Sequence, residues 1–322
     1  MKISCNTTEF RNKKKLREKL SNYIPAIMET AIYYREEDLF NLIRSALRAN
    51  EGNILYIEKI SEKRKKYIVD IERISDWIEK KVVPNTVTMG PEEVDLLKLM
   101  IFSLAMPYKM LKGETRATMT EKTRRTKARD FEQVFSDTFI GKIGEIAFRK
   151  FAKQKFNRNI NLDWEISTDI STFKSDIIGS KKIVSIKSTD TLESIWAEAP
   201  KRAEYGIFVK VALPKDFFMK ILAYISSLRK LLNFVRDRIK DSLTETDGIE
   251  NLLNFIEETA YEEKMGINGY VCGFFETSKN SLKKKGKDID FLGEVHEDKH
   301  LIEINRIKYS NNDWNEFFKR IL

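Results

Sequence analysis

Apolar residues recur every third or fourth position through PAIMETAIYYREEDLFNLIRSALRA (25–49), with no Gly or Pro after its opening, and this spacing predicts a helix. Ile68, Ile71, Ile74, Trp77 and Ile78 repeat in the same way before VVPN stops the run. Met89-Gly90-Pro91 then opens another helix, with Pro in the first turn and Glu92 and Glu93 at its positive end. Residues 1–113 therefore read as mainly helical. ILYIEKISEKRKKYIVDI (54–71) keeps a hairpin open as the alternative, since short apolar runs suit either structure.

The pattern changes after residue 130. FEQVFSDTFIGKIGEIAFRKFAKQKF (131–156) is a long, heavily apolar helix, and DWEIS, SDII, KIVSIKS and YGIFVKVAL are short runs with strand character. Long helical stretches are expected at 215–240 and 246–264. GYVCGFFET and HLIEINRIKY add strands, and NNDWNEFFKRI begins a terminal helix with capping residues. A helix, several strands, a crossover and further strands describe an α/β fold with a mixed central sheet flanked by helices. Between the two patterns, GETRATMTEKTRRTKARD (113–130) has no apolar stripe and marks the boundary. The expected organisation is a mainly helical region at 1–125, for recognition or dimerisation, and an α/β domain at 126–322.

Charge sharpens this picture. Lys and Arg number 58 against 49 Asp and Glu, a net charge of +9, which is the field of a protein that meets a polyanion. Arg116, Lys122, Arg124, Arg125, Lys127 and Arg129 concentrate in the boundary run and are candidates for DNA-backbone contact. KNSLKKKGKD (279–288) is a second basic loop.

Cys5 and Cys272 have neither a disulfide framework nor metal-ligand spacing, and read as free buried thiols of a reducing cytoplasm. His296 and His300 sit in EVHEDKH, a polar run that reads as a solvated turn. Any metal chemistry must then rest on carboxylates, which favours a hard ion such as Mg²⁺. The polar opening MKISCNTTEFRNKKK predicts no signal peptide. VDLLKLMIFSLAM (94–106) is too short to span a bilayer and carries Lys98, so no membrane association is expected. No GxxxxGK[ST] occurs, so no nucleotide cofactor is expected.

The stretch SDIIGSKKIVSIKS (175–188) concentrates the chemistry. GSKK is a turn signal between two strand-like runs, which sets Asp176 across from Ser185, Ile186 and Lys187. Ser185 and Lys187, two apart, share a face. A lysine among so many isoleucines and valines calls for an acid or a phosphate as partner. Read singly, each residue has an ordinary role: Asp176 as a turn acid, Lys187 as an edge-strand lysine, and Glu145 as the i, i+4 partner of Arg149. Gly141 and Gly144 suggest that the preceding helix packs close to a backbone and carries Glu145 toward the sheet.

Together these residues resemble the active-site hairpin of the restriction-endonuclease-like superfamily, PD-(D/E)xK. The likeness covers roughly 131–213: a helix with Glu145, then Asp176, a short turn, and Ser185-Ile186-Lys187, followed by SIWAEAPKRAEYGIFVKVAL, which fits the family's helix-then-strand order. Ser175 stands where the motif has proline, and Ser185 where it has its second acid. The resemblance implies that Asp176 is a metal ligand, with Glu145 first, then Glu193, Glu198 or Glu204, supplying the missing carboxylate, and the Ile186 carbonyl a further ligand. Lys187 would orient the attacking water and stabilise the transition state. It implies a Mg²⁺-dependent endonuclease acting on double-stranded DNA, of the type II restriction kind, working as a homodimer on a palindrome. A non-catalytic DNA-binding protein on a degenerate nuclease fold is the alternative that Ser185 favours.

Overall fold

The computed structural model describes residues 1–61, 64–89, 94–111, 131–164, 175–214, 266–290 and 292–322, with backbone alone at 94–97, 108–111 and 131. The basic boundary run with Arg116, Lys122, Arg124, Arg125, Lys127 and Arg129 lies outside the described residues, as do most of DWEIS and the stretches 215–240 and 246–264.

The N-terminal region contains a sheet as well as helices. β1 (Lys2–Asn6), β2 (Leu55–Ser61) and β3 (Arg64–Asp70) pair antiparallel in the order β1-β3-β2. The hairpin prevails at 54–71 because Leu55, Tyr67 and Val69 share one buried face, and a period of two suits a strand. α1 (Thr7–Arg11) and α2 (Lys13–Leu20) each begin at an asparagine: Asn6 Oδ1 accepts from Glu9 N at 2.9 Å, and Asn12 Oδ1 from Lys15 N at 3.1 Å.

The single helix expected at 25–49 is two, α3 (Ile24–Thr30) and α4 (Glu36–Ala49). Ala31 leaves helical geometry, and Tyr34 turns inward to place its hydroxyl 2.8 Å from Thr86 Oγ1. α4 restarts with Glu36, Glu37 and Asp38 at its positive end and stops at Asn50, in left-handed conformation at φ 49°. α5 (Ile71–Trp77) begins at Asp70.

The chain then enters the central sheet with β4 (Thr86–Met89), and continues through α6 (Val94–Leu111), α7 (Phe131–Phe156), β5 (Val184–Thr189), β6 (Trp196–Pro200), β7 (Tyr205–Ala212) and β8 (Ile267–Glu276). The central order is β4-β8-β7-β5, with β5 and β7 parallel and the other pairs antiparallel. β9 (Leu282–Lys283), β10 (Asp288–Ile289), β11 (Gly293–Glu294) and β12 (Lys299–Glu303) follow. β12 holds β6 and β9 in a second antiparallel sheet, and β10 pairs with β11. α8 (Asn311–Ile321) closes the chain, capped by Ser310, whose Oγ accepts from Asp313 N at 3.2 Å.

Helices and small sheets cover both faces of the central sheet, a mixed α/β architecture. One core unites α2–α4 and the N-terminal sheet with Phe208, Ala212, Tyr270, Cys272 and Phe275. The other unites α7 and α8 with Val184, Ile186, Ile207, Val209, Val271 and Phe274. β8 changes phase between Cys272 and Phe274 because the register skips Cys272: Gly273 lies opposite Phe208 and Val271 opposite Val209. At Gly273 the backbone is also special. Its φ is 146°, and a Cβ there would come 2.3 Å from Lys308 O, so glycine is required.

Two expectations change here. β4 and α6 belong to the central body, since β4 pairs with β8, and Val87, Met89, Leu99 and Met100 join the core of α7. Packing therefore does not divide at 125/126. The helix expected between β5 and β7 is instead the strand β6, because Ala197 and Ala199 alternate inward against Trp196, Glu198 and Pro200. Among the described residues no helix is long and apolar enough to cross a membrane.

A candidate active site at the open edge of β5

β5 is the outermost strand of the central sheet, and its side chains divide cleanly. Val184 and Ile186 enter the core shared with α7, and Ser188 Oγ donates to Ile140 O of α7 at 2.7 Å. Ser185 and Lys187 alternate to the other face. α7 lies close to the strand because Gly144 has no side chain: a Cβ there would stand 2.3 Å from Ser188 Cβ. Gly141, by contrast, has open space around it. The contact at Gly144 sets Glu145, the next residue, against the edge of β5.

Asp176 reaches that edge without being in a strand. Its neighbours make an isolated bridge, Leu162 to Ile177, and Gly179 turns the chain at φ 77°. Asp176 N donates to Val184 O at 3.0 Å, and Asp176 Oδ2 accepts from Ile186 N at 2.6 Å. The carboxylate thus takes a ladder position on β5 that a neighbouring strand's carbonyl would otherwise fill. The full hairpin expected from GSKK is reduced to this side-chain clasp.

Glu145 is buried, with Lys142 Nζ 2.7 Å from its Oε2. Lys142 also donates to the carbonyl of Asp163, whose own N–H donates to Asp176 O at 3.2 Å. One ammonium therefore ties α7 to the segment that carries Asp176. The rings of Phe102 and Trp164, edge to face with centroids 5.6 Å apart, flank it at 5.2 and 5.4 Å.

The electrostatics show that two carboxylates share one space. Burial, then the charge of Asp176, pushes Glu145 up to about 8 against the pull of Lys142 and Lys187. Burial also raises Asp176, opposed by Lys187, the Ile186 N–H, Lys142 and Ser185. Lys187 acts on both acids through space; it is half-buried and makes no ion pair among the described residues. Ser185 Oγ helps to lower Asp176, yet it is buried without a partner of hydrogen-bond geometry among the described residues.

The other acids considered for the missing carboxylate are engaged elsewhere. Glu193 meets Lys13 at 2.7 Å, Arg44, and Arg48 at 3.6 Å. Glu198 on β6 pairs with Lys299 at 2.6 Å, and Glu204 with Lys182 at 2.7 Å. His300 is not in a solvated turn: it is buried on β12, its Nδ1 2.9 Å from Ser281 Oγ and its Nε2 3.2 Å from Lys201 O. Among the described residues no three His, Cys, Asp or Glu side chains gather at one point.

Lys142 is the site residue that the sequence reading misses. Its i, i+3 spacing to Glu145 in GKIGE carries the signal, which competes with the i, i+4 spacing of Glu145 to Arg149. The chain was also compared with protein-family models, curated proteins and solved structures, and nothing matches.

Proposed function

We propose that this chain is a Mg²⁺-dependent endonuclease of double-stranded DNA, built on a restriction-endonuclease-like core and acting in the cytoplasm as a homodimer of the type II restriction kind. The observation that carries this reading is the meeting of Glu145 and Asp176 beside Lys187 at the open edge of β5. Two acids held together against their mutual repulsion, with an ammonium beside them that makes no ion pair among the described residues, are an expensive arrangement for a surface that does nothing.

The donor set fits Mg²⁺. This ion takes hard oxygen ligands, and is commonly held by one or two carboxylates together with substrate phosphates and water. Asp176 and Glu145 would hold it, with the Ile186 carbonyl between Ser185 and Lys187 as a third donor. When bound, the ion supplies charge stabilisation at the scissile phosphate and a more acidic water. The chain's own residues do the rest. The Ile186 N–H fixes the Asp176 carboxylate, and Lys142 fixes that of Glu145. Lys187, which makes no ion pair among the described residues, would orient the water and meet charge that grows on the phosphate oxygens.

A second reading, a DNA-binding protein that no longer cuts, is favoured by Ser185 in an acid's position and by Lys142 already lying against Glu145. Incubating large duplex DNA with the protein and Mg²⁺ separates the two. Discrete fragments that disappear in EDTA support the nuclease; intact DNA with binding retained supports the second reading.

A further inference from the structure

Three turns gather where the central and second sheets end together. In the central sheet Val184 of β5 lies beside Tyr205 of β7, and Tyr205 beside Glu276 of β8. In the second sheet Pro200 of β6 lies beside Lys299 of β12, and Lys299 beside Lys283 of β9. The turn 201–204 joins β6 to β7 and so brings the two rows to one end. On either side of it run the turn 178–183, which leads into β5, and the loop 277–287, which leaves β8 and carries β9. Hydrogen bonds tie the three together. Glu204 Oε2 accepts from Ile183 N at 3.0 Å, and Thr277 Oγ1 donates to Ala203 O at 2.7 Å. Asp298, just before β12, accepts from Lys285 N at 3.1 Å and meets Lys284 Nζ at 3.0 Å and Lys201 Nζ at 3.4 Å.

The charge of this end is one-sided. The three turns hold nine basic residues and one acid, Glu204, an excess of eight, when the whole chain has an excess of nine. Glu204 and Asp298 answer Lys182, Lys201 and Lys284. Lys181, Lys279, Lys285 and Lys287 are exposed and make no ion pair among the described residues. Lys285 and Lys287 also flank a fixed turn: Gly286, at φ 84°, donates to Val295 O at 2.7 Å, and Lys287 O accepts from Val295 N at 2.9 Å. The backbone that carries these ammonium groups is set before any anion arrives, which lowers the cost of binding one.

Spacing selects an extended partner. β6 and β9 lie two strand spacings apart, roughly 10 Å, so a single small anion meets one turn only. Duplex DNA carries one charge per about 1.7 Å of its axis and can meet all three. Asp176 N donates to Val184 O, which sets the proposed metal ligand at this same end of β5. We propose that the phosphate backbone of duplex DNA lies across this end of the molecule, with Lys181, Lys285 and Lys287 on its phosphates. The inference rests on the nuclease reading and names its docking surface. Such contacts position the duplex and do not read its sequence.

The test uses the full chain in EDTA with a labelled mixed-sequence DNA duplex, and reads binding across a salt series. Replacing Lys181, Lys285 and Lys287 by Ala should flatten log K against log[salt] by about 2–3 units. Replacing Lys14, Lys59 and Lys65 by Ala removes the same charge from exposed positions on other elements. That variant should keep a slope close to wild type, because the slope counts phosphates in contact. An unchanged slope in the first variant overturns the proposal, and so does a wild-type chain that binds no duplex. Equal flattening in both variants does the same, since a diffuse field rather than a docking surface would then hold the DNA. It is also overturned if the first variant loses affinity for an RNA duplex of equal length and none for DNA. Binding without cleavage in Mg²⁺, with the slope flattened as expected, would remove the nuclease reading and leave this one standing. Cleavage with an unchanged slope would do the reverse.

Discussion

Lys187 and Lys210 leave the same face of the central sheet from neighbouring strands, two residues apart in register, yet they have opposite environments. Lys210 is only 2% exposed and donates to Ser45 Oγ at 2.6 Å and Leu192 O at 2.9 Å. Burial lowers its pKa, and among the described residues no carboxylate pairs with it; α4 and the turn after β5 close over it with neutral oxygens. Lys187 keeps partial access to solvent, has no ion pair among the described residues, and acts on the buried Glu145 and the half-buried Asp176. The comparison teaches that a lysine inside a sheet is not itself a functional sign. A satisfied ammonium is architecture; one without an ion pair among the described residues, beside crowded carboxylates, is the candidate for chemistry.

The sharpest way to break this contrast is to remove each group and read activity and stability separately. Asp176→Ala should abolish Mg²⁺-dependent cleavage of duplex DNA while leaving binding largely intact. Lys187→Ala should cost about 10²–10³ in cleavage rate, as loss of a transition-state contact does, with an unchanged unfolding midpoint. Undiminished wild-type cutting in EDTA would sink the assignment of both residues. Lys210→Ala should do the converse, lowering unfolding stability by about 2–4 kcal/mol in denaturant titration through a cavity and stranded buried acceptors. A Lys210 variant as stable as wild type would mean that the two lysines do not differ as described.

A smaller effect concerns Glu145 and pH. Its pKa of about 8 in the fold lies above its ordinary value of 4.5, so the folded protein retains a proton that the unfolded chain has released. Stability from this group is therefore complete below its ordinary value and is lost as pH rises through about 8. In EDTA, wild type should lose stability relative to Glu145→Gln across that window, read as diverging unfolding curves; parallel curves would place the strain elsewhere. The same substitution should weaken cleavage and its metal dependence, whereas Ser185→Ala should be mild. The reverse ranking would move the second ligand away from α7.

What could be read from the sequence depended on how local the determining physics was. β5, β7, β8 and α8 carry their signals in alternation, apolar runs and caps, and each forms close to its expected place. The polar residues Asp176, Ser185 and Lys187 were equally visible, because polar groups stand out within a run of isoleucine and valine. Other features depend on distant partners. WAEAP becomes a strand only because β12 arrives to pair with it, and Asp176 needs no strand because its carboxylate replaces one. Lys142 gains its meaning from the carbonyl of Asp163 and the rings of Phe102 and Trp164, which no window around residue 142 contains. His300 looked solvated because its neighbours in EVHEDKH are polar, whereas Ser281 and the Lys201 carbonyl enclose it.

The pairing of β4 with β8 also sets a timetable for synthesis. Thr88 Oγ1 donates to Asn268 Oδ1 across 180 residues of chain, at 2.7 Å. A ribosome adding about 5–20 residues per second makes β4 wait roughly ten to forty seconds for its neighbour. During that interval Val87 and Met89, both buried in the finished protein, have no sheet to enter. A nascent chain arrested before residue 267 should therefore be cut readily by protease around β4, and become resistant there only once β8 has cleared the exit tunnel.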